Sequence, residues 1–310
     1  MLSRVADSLY WMSRYMERAD GILRMLKINY ASSQDDLHDF SWSPVLEIFT
    51  YLDDAQIDAL GNNSRTILQY MVTDKENPNS VLNIVTKARE NARSVQDHIT
   101  KELWQCLNDF YHTVRDEQLI DWLNREDPIS TLDILIKQGL LYYGTLDITM
   151  SRGEGYAFIN LGKFIERATQ SADILDVKFS DENYDITTAD TTYWKYLLMS
   201  ISGYELYLKT YRSGFEAKTV VEMIVLNKDF PRSVLYSINQ MMRYFTRLRS
   251  DRNVDTYQKI EFLIGKLKSK VNYSTTDSIL KQGLHEYLEE VKTDLNEIGV
   301  SLNQNYFAYA

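Results

Sequence analysis

The sequence predicts an all-α protein, a large helical bundle in which two repeated helical halves pack side by side. Only 4 of the 310 residues are prolines and 12 are glycines, so little interrupts a long helix. Apolar residues recur at alternating steps of three and four, the period of an amphipathic helix, and the alternation typical of strands is nearly absent. In addition, two segments of the first half recur in the second half in the same order.

Apolar periodicity and capping residues place the helices of the first half. The opening helix is indicated by Leu9, Met12 and Met16, which share one face with further apolar residues. Ser80 follows a proline-containing break and predicts an N-cap, and Asp127-Pro128 predicts a helix start. The predicted helices of this half are 2–30, a short helix starting at Ser43-Pro44, 55–60, 65–72, 81–112 and 128–150.

The glycine-containing stretch 151–155 is the clearest break in the chain. It divides the sequence into a first helical repeat, 1–152, and a second helical repeat, 153–310, which we expect to form one compact unit. The same periodicity predicts the helices of the second half and gives about 11 helices in the whole chain. Those of the second half are predicted at 156–179, 194–211, 216–227, 232–250, 255–270 and 276–303.

The repeat is built around a Glu-Arg pair. At a spacing of 149 residues, Glu17-Arg18-Ala19 falls on Glu166-Arg167-Ala168. At a spacing of 139 residues, Arg93-Ser94-Val95 falls on Arg232-Ser233-Val234. Two packed copies of one unit bring equivalent charged groups toward a pseudo-twofold axis. We therefore expect Glu17 to superpose on Glu166, and Arg93 on Arg232.

Charge and composition argue against some partners and compartments. A net charge of −10 argues against binding to nucleic acid or to anionic membranes, which attract basic surfaces. No apolar run approaches the length of a transmembrane helix, and no signal-peptide core is present near Met1, so we expect a cytoplasmic protein. The single cysteine, Cys106, excludes an intramolecular disulfide and is expected in the core.

The two Glu-Arg pairs support two interpretations. They lie at the margins of apolar stripes, where charges meet partners on a neighbouring helix. One interpretation is a lattice of structural ion pairs that fixes helix register. The other is a polar cavity in which arginines bind an anionic ligand, because guanidinium groups match carboxylate and phosphate. In the second interpretation the candidate catalytic residues are Glu17 and Glu166, and the candidate ligand-binding residues are Arg14, Arg18, Arg89, Arg93, Arg167, Arg232 and Ser233.

Arg89 and Arg93 are i,i+4 neighbours on a predicted helix, where two guanidinium groups repel unless an acid or a bound anion lies between them. The acid could be Glu17, Glu90 or Glu102, and a ligand could take its place. We expect Arg18 and Arg93 to be mostly buried and bonded to carboxylates. Trp104 lies off the face of Glu102 and is expected in the core.

The sequence predicts no metal site and no cofactor. A ferritin-like site needs two Glu-x-x-His motifs, and the sequence has none; Asp35-x-x-His38 is an isolated i,i+3 pair in a polar connector. It contains no dinucleotide-binding glycine motif, phosphate-binding loop or nucleophile elbow. Cys106 has no histidine nearby in the sequence.

Several segments together resemble the bacterial alpha-E family, an all-helical family named for its Glu-Arg motif. They are the opening MLSRVADSLYWMSRYMERAD, the ARENARSV block with Glu102 and Trp104 after it, FINLGKFIERA, and Pro231-Arg232-Ser233-Val234. The resemblance covers essentially the whole chain. Lys163 and Gln96 stand where the family often has arginine.

The resemblance implies partners rather than an established activity. Alpha-E proteins are commonly encoded or fused with circularly permuted ATP-grasp proteins and transglutaminase-like peptidases, in systems proposed to make or modify peptide bonds. We therefore expect an accessory or substrate-binding subunit of an ATP-grasp amide ligase, without turnover of its own, that binds a peptide, an amino acid or the ligase. The alternatives are an enzyme that uses Glu17 or Glu166 as a general acid or base, and a purely structural scaffold.

Overall fold

The computed structural model describes residues 1–35, 41–124, 127–181, 184, 191–212, 214–250 and 253–307, except for the side chain of Asp181. Within these ranges every regular element is helical, with 16 α-helices and short 3-10 and π segments. The prediction of an all-α protein is therefore confirmed for the described residues. His38 lies outside them.

Eight α-helices precede residue 150. They are α1 (Ser3–Ser33), α2 (Ser43–Phe49), α3 (Asp54–Leu60), α4 (Ser64–Val72), α5 (Val81–Ser94), α6 (Lys101–Arg115), α7 (Glu117–Leu123) and α8 (Pro128–Thr149). A 3-10 turn, Gln96–His98, lies between α5 and α6.

Capping side chains begin several of these helices. The Asn63 side chain accepts hydrogen bonds from two backbone amides at the start of α4, and Ser80 and Asp127 cap α5 and α8. The predicted helix 81–112 is wrong, because Thr100 starts a new helix by accepting a hydrogen bond from the Leu103 amide. The chain therefore makes two helices there, without a glycine or proline at the break.

Eight further α-helices follow residue 150. They are α9 (Glu154–Asp181), α10 (Thr191–Ser200), α11 (Tyr204–Thr210), α12 (Ala217–Val221), α13 (Val234–Phe245), α14 (Val254–Tyr273), α15 (Thr276–Gln282) and α16 (Leu284–Leu302). A π-helical segment, Glu222–Leu226, continues α12, and a 3-10 turn, Thr246–Leu248, continues α13. A second π-helical segment, Asn303–Phe307, follows α16.

Two predicted helices of this half are each divided in two. The helix predicted at 194–211 is interrupted by Ser202, with φ 56°, and by Gly203, where a Cβ would lie 2.9 Å from the ring of Phe230. The helix predicted at 276–303 is interrupted by Gly283, whose φ of 109° favours glycine. These two breaks and the one at Thr100 each add a helix, and α7, which the sequence did not predict, adds one more, so the 16 α-helices exceed the predicted number.

The chain forms two compact units. The first comprises Met1–Arg14 and Ser151–Ala310, and we call it the α9 unit; the second, Tyr15–Met150, is the α8 unit. The break before Ser151 lies beside the predicted seam, but the first turns of α1 belong to the α9 unit. The division of the chain into two equivalent repeats stays a prediction.

Each unit has its own helical core. In the α9 unit, α9 packs against α13 and α16, and α14 packs against both of these. The first turns of α1 approach α9 closely, since a Cβ on Gly162 would lie 2.3 Å from the carbonyl oxygen of Tyr10. In the α8 unit, α6 packs against α5 and α8 and buries Leu103, Leu107 and Phe110. Among the described helices, none is long and apolar enough to cross a membrane.

Candidate functional site

Each Glu-Arg pair lies on a long helix with its glutamate buried. Glu17 on α1 belongs to the α8 unit and is 0% exposed, and Glu166 on α9 belongs to the α9 unit and is 3% exposed. Both therefore lie deeper than the margin of an apolar stripe. A buried carboxylate requires hydrogen-bond donors, because burial removes its water.

Tyr143 on α8 is one donor to Glu17. Its hydroxyl lies 2.5 Å from Oε2 of Glu17, and the two residues are 126 positions apart in the chain. No local spacing in the sequence could have paired them. Arg18, next to Glu17, is partly buried.

Arg14 forms an ion pair with Glu166 within the α9 unit. Its Nε donates to Oε2 of Glu166 at 2.8 Å, and its guanidinium carbon lies 4.7 Å from the centre of the Trp11 ring. Burial alone would lower the pKa of Arg14, but the Glu166 carboxylate outweighs it and the pKa is raised. Arg14 therefore stays charged and holds Glu166 in place.

Gln170 extends this contact along α9. Its Nε2 donates to Oε1 of Glu166 at 3.4 Å, one helical turn away. The residue is 6% exposed, and its Oε1 is buried with no hydrogen-bond partner among the described residues.

The start of α13 is held by contacts of Arg167, Arg232 and Ser233. Arg167 is buried, and its Nη1 donates to the Pro231 carbonyl at 3.2 Å. The Arg232 carbonyl accepts from Oγ of Ser171 at 2.6 Å. Ser233 is fully buried and caps α13 by accepting from the Tyr236 amide at 2.9 Å. These contacts fix α13 against α9 and leave the Ser233 hydroxyl out of reach of a ligand.

Glu90 is the acid between Arg89 and Arg93. It lies 3.0 Å from Nη1 of Arg89 and 2.7 Å from Nη2 of Arg93, so one of the three expected acids is confirmed. The expectation that Arg93 is buried is wrong: its side chain is 63% exposed, because it occupies the solvent side of the last turn of α5.

Aromatic and amide groups hold Arg89 against α6. Its Nε donates to Asn108 at 2.9 Å, and its guanidinium carbon lies 4.5 Å from the Tyr111 ring centre and 5.3 Å from that of Trp104. Trp104 is only partly buried, so its expected place in the core is wrong. Cys106 is also partly exposed, with Sγ 3.2 Å from the Thr145 hydroxyl.

The expected equivalence of Arg93 and Arg232 is wrong. Arg93 lies in the last turn of α5, whereas Arg232 directly precedes the N-cap of α13. The N-cap of α5 is Ser80, which matches Ser233 at a spacing of 153 residues. At this spacing Pro78-Asn79-Ser80-Val81-Leu82 falls on Pro231-Arg232-Ser233-Val234-Leu235, an alignment that pairs the two capping serines.

A second polar cluster in the α9 unit joins α9 to α16. Nζ of Lys292 lies 3.2 Å from Asp173 and 3.3 Å from Asp176, and Nδ1 of His285 lies 2.9 Å from Asp176. Burial raises the pKa of Asp173 to about 6, although Lys292 acts to lower it. The only sequence signal was the Asp173-x-x-Asp176 spacing, since the partners lie more than a hundred residues away.

Three side chains of this cluster could hold a metal ion. The ligand atoms of Asp176, His285 and Glu289 lie within 4.8 Å of one another. However, Lys292 bonds both Asp176 and Glu289, which places a positive charge where a divalent cation would bind. These carboxylate oxygens therefore suit the ammonium group of Lys292 better than a metal ion.

A helical chain with Glu-Arg pairs agrees with the description of the alpha-E family. That family is described as "a predicted alpha-helical domain with a conserved ER motif", and it matches residues 1–307. The chain belongs to the alpha-E family.

Mycobacterial proteins are among the relatives of this chain. An uncharacterized protein of Mycobacterium bovis is 23% identical over 321 residues, and so is one from Mycobacterium tuberculosis; a further one from the latter species is 22% identical. Each match covers 94% of this chain and 34% of the relative, so the chain spans about a third of the length of these curated relatives. No solved structure shows a significant match.

Proposed function

We propose that this chain is an accessory or substrate-binding subunit that acts with an ATP-grasp-type amide or peptide ligase. The observation that carries the proposal is the coverage of the mycobacterial relatives, in which the matched region is 34% of a longer polypeptide. A domain that recurs as part of larger chains works beside other domains. The resemblance supplies the class of those partners, an ATP-grasp ligase and a transglutaminase-like peptidase.

The buried glutamates favour binding over catalysis by this chain. A general acid or base must reach the proton that it transfers. Glu17 and Glu166 are buried and hold Tyr143 and Arg14 by hydrogen bonds. Such carboxylates orient their neighbours, which suits a protein that presents fixed arginine-bearing helix faces to a peptide or an amino acid. Because an ATP-grasp ligase uses ATP, we place the protein in the cytoplasm.

The two-halves hypothesis belongs to the same proposal. Helices α1 to α8 and α9 to α16 have matching order, with a long Glu-Arg helix first and a serine-capped helix fifth in each set. The spacing of 149 residues at Glu17 and 153 residues at Ser80 supports the correspondence. An experimental structure in which α1, α5 and α8 fail to superpose on α9, α13 and α16 would contradict it.

Reconstitution tests the function. The purified chain is incubated with ATP and an amino-acid pool, with and without an ATP-grasp ligase encoded beside it, while phosphate release and amide products are followed. We expect products only with the ligase, and a changed yield or product range when the chain is added. Products from the chain alone would favour the enzyme alternative. If the chain neither binds the ligase nor changes its products, the accessory role is rejected and the structural scaffold is favoured.

A matched pair of variants locates the interacting face. Arg93→Ala removes an exposed arginine of α5 that the sequence marks as ligand-binding, and Arg212→Ala removes another exposed arginine as the control. We expect the effect on the ligase to weaken with Arg93→Ala and to persist with Arg212→Ala. Equal behaviour of the two variants would remove Arg93 from the interacting face.

A further inference from the structure

Helix α9 carries a line of acceptor side chains on one face. Glu166, Gln170 and Asp173 are spaced at i, i+4 and i+7, which places them along one stripe of a helix. Gln170 bonds Glu166, and the charge of Glu166 acts on Asp173. Arg14 bonds Glu166 at one end of the stripe, and Lys292 bonds Asp173 at the other end. All five residues belong to the α9 unit.

The amide oxygen of Gln170 is the unexplained atom of this stripe. The residue is 6% exposed, and its Oε1 has no hydrogen-bond partner among the described residues. Exchanging the amide oxygen and nitrogen would not remove the problem, because the oxygen would then face the Glu166 carboxylate. A buried acceptor therefore remains on the stripe, one helical turn from the carboxylate of Asp173.

We propose that this stripe binds the primary ammonium group of an amino acid or a peptide, with Gln170 Oε1 and the Asp173 carboxylate accepting its N–H bonds. An ammonium group has three donors and no acceptor, which matches the two acceptors, Gln170 Oε1 and the Asp173 carboxylate. Lys292 already demonstrates the fit, since its own ammonium group lies 3.2 Å from Asp173. The inference rests on the proposed function, because it names the group by which a ligase substrate is recognised.

A ligand reaches the stripe at its Asp173 end. The side chains of Asp173 and Lys292 are 28% and 21% exposed, whereas Gln170 and Glu166 lie deeper. The ammonium group therefore enters past Asp173, and the remainder of the amino acid or peptide stays toward solvent.

Calorimetric titration at pH 7 tests the site with two small probes. Glycinamide carries an ammonium group and no carboxylate, and N-acetylglycinamide is the neutral counterpart. We expect glycinamide to bind and N-acetylglycinamide not to bind. Asp173→Asn should raise the Kd for glycinamide about tenfold or more, because a hydrogen bond to a charged group is lost. Gln170→Leu should also weaken it, and the control Asp294→Asn, an acid of α16 bonded to Lys266 and Lys270, should not.

Each outcome decides the inference. Equal binding of both probes, no binding of glycinamide, or glycinamide binding that both variants leave unchanged would overturn it. If the variants do not fold, the comparison of the two probes on the unmodified protein still decides. Absence of glycinamide binding together with a clear effect on the ligase products would reject the ammonium site and leave the proposed function standing. Glycinamide binding without an effect on the ligase would do the reverse.

Discussion

At the scale of single residues, Glu17 depends on a partner that is distant in the sequence. It is 0% exposed, and its carboxylate accepts a hydrogen bond from Tyr143, which lies on α8 of the same unit. The ionised form of a buried carboxylate is stable only while such donors surround it. Glu17 of the α1 Glu-Arg pair therefore helps to fix the position of α8 against α1.

Replacing Glu17 tests this dependence. Glu17→Ala should lower the free energy of unfolding by about 1–3 kcal/mol, because the Tyr143 hydroxyl loses its acceptor in a buried setting. Urea unfolding followed by circular dichroism measures the change. Glu90→Ala is the control, since this exposed acid pairs with Arg89 and with the exposed Arg93 on its own helix and should cost about 0–1 kcal/mol. Equal losses of unfolding free energy in the two variants would show that the buried Glu17 contributes no more to stability than the exposed Glu90.

Asp173 predicts a pH dependence of stability. Burial raises its pKa from 3.8 to about 6, so the folded state holds the proton more tightly than the unfolded state. The stability from this group is complete below about 3.8 and is lost as the pH rises through about 6. In Asp173→Asn this loss disappears, so the stability of the variant relative to the unmodified protein should increase across that window. Urea unfolding at a series of pH values measures it, and a difference that does not vary with pH would contradict it.

At the scale of helices, capping decides where α6 begins. The Thr100 side chain accepts from the Leu103 amide, and its hydroxyl also lies 2.8 Å from that of Thr149 at the end of α8. The same residue thus starts one helix and contacts the end of another.

Thr100→Ala should destabilise the protein by about 0.5–2 kcal/mol, the usual cost of losing an N-cap. Thr100→Ser keeps the accepting oxygen and should recover most of this loss. Guanidinium unfolding of both variants provides the measurement. A serine variant as unstable as the alanine variant would assign the effect to the methyl group of Thr100 instead of its cap.

Helix starts marked by strong local signals could be predicted from the sequence, and breaks without such signals could not. Ser80 and Asp127 were found because a proline lies within two residues of each of them. Thr100 was missed because the apolar period continues across the break. Among site residues, the candidates Glu17 and Glu166 followed from the Glu-Arg repeat, but their burial did not, because the sequence placed them at the margins of apolar stripes. Their donors, Tyr143 and Arg14, did not, because contacts across 126 and 152 residues leave no trace in local spacing.

At the scale of the whole molecule, the two serine caps provide a test of equivalence between the halves. Ser80 caps α5 and Ser233 caps α13, each by accepting from the amide three residues ahead. We expect Ser80→Ala and Ser233→Ala to cost similar amounts, each about 0.5–2 kcal/mol, and their effects to add because the two caps share no partner. Thermal unfolding of the single and double variants measures this. A loss of stability in only one of the two single variants would argue against equivalent roles for Ser80 and Ser233.

The membership of Met1–Arg14 in the α9 unit has a consequence for biosynthesis. Arg14 and its partner Glu166 are 152 residues apart, so the ribosome needs on the order of ten seconds to deliver α9 after α1. During that interval Leu9, Tyr10 and Met12, which are buried in the folded protein, lack the helix that covers them. Closing so long a loop makes this contact a late and slow step. The segment Met1–Arg14, made well before the rest of its unit, is thus among the last parts of that unit to fold, and we expect a chaperone to bind the nascent chain there.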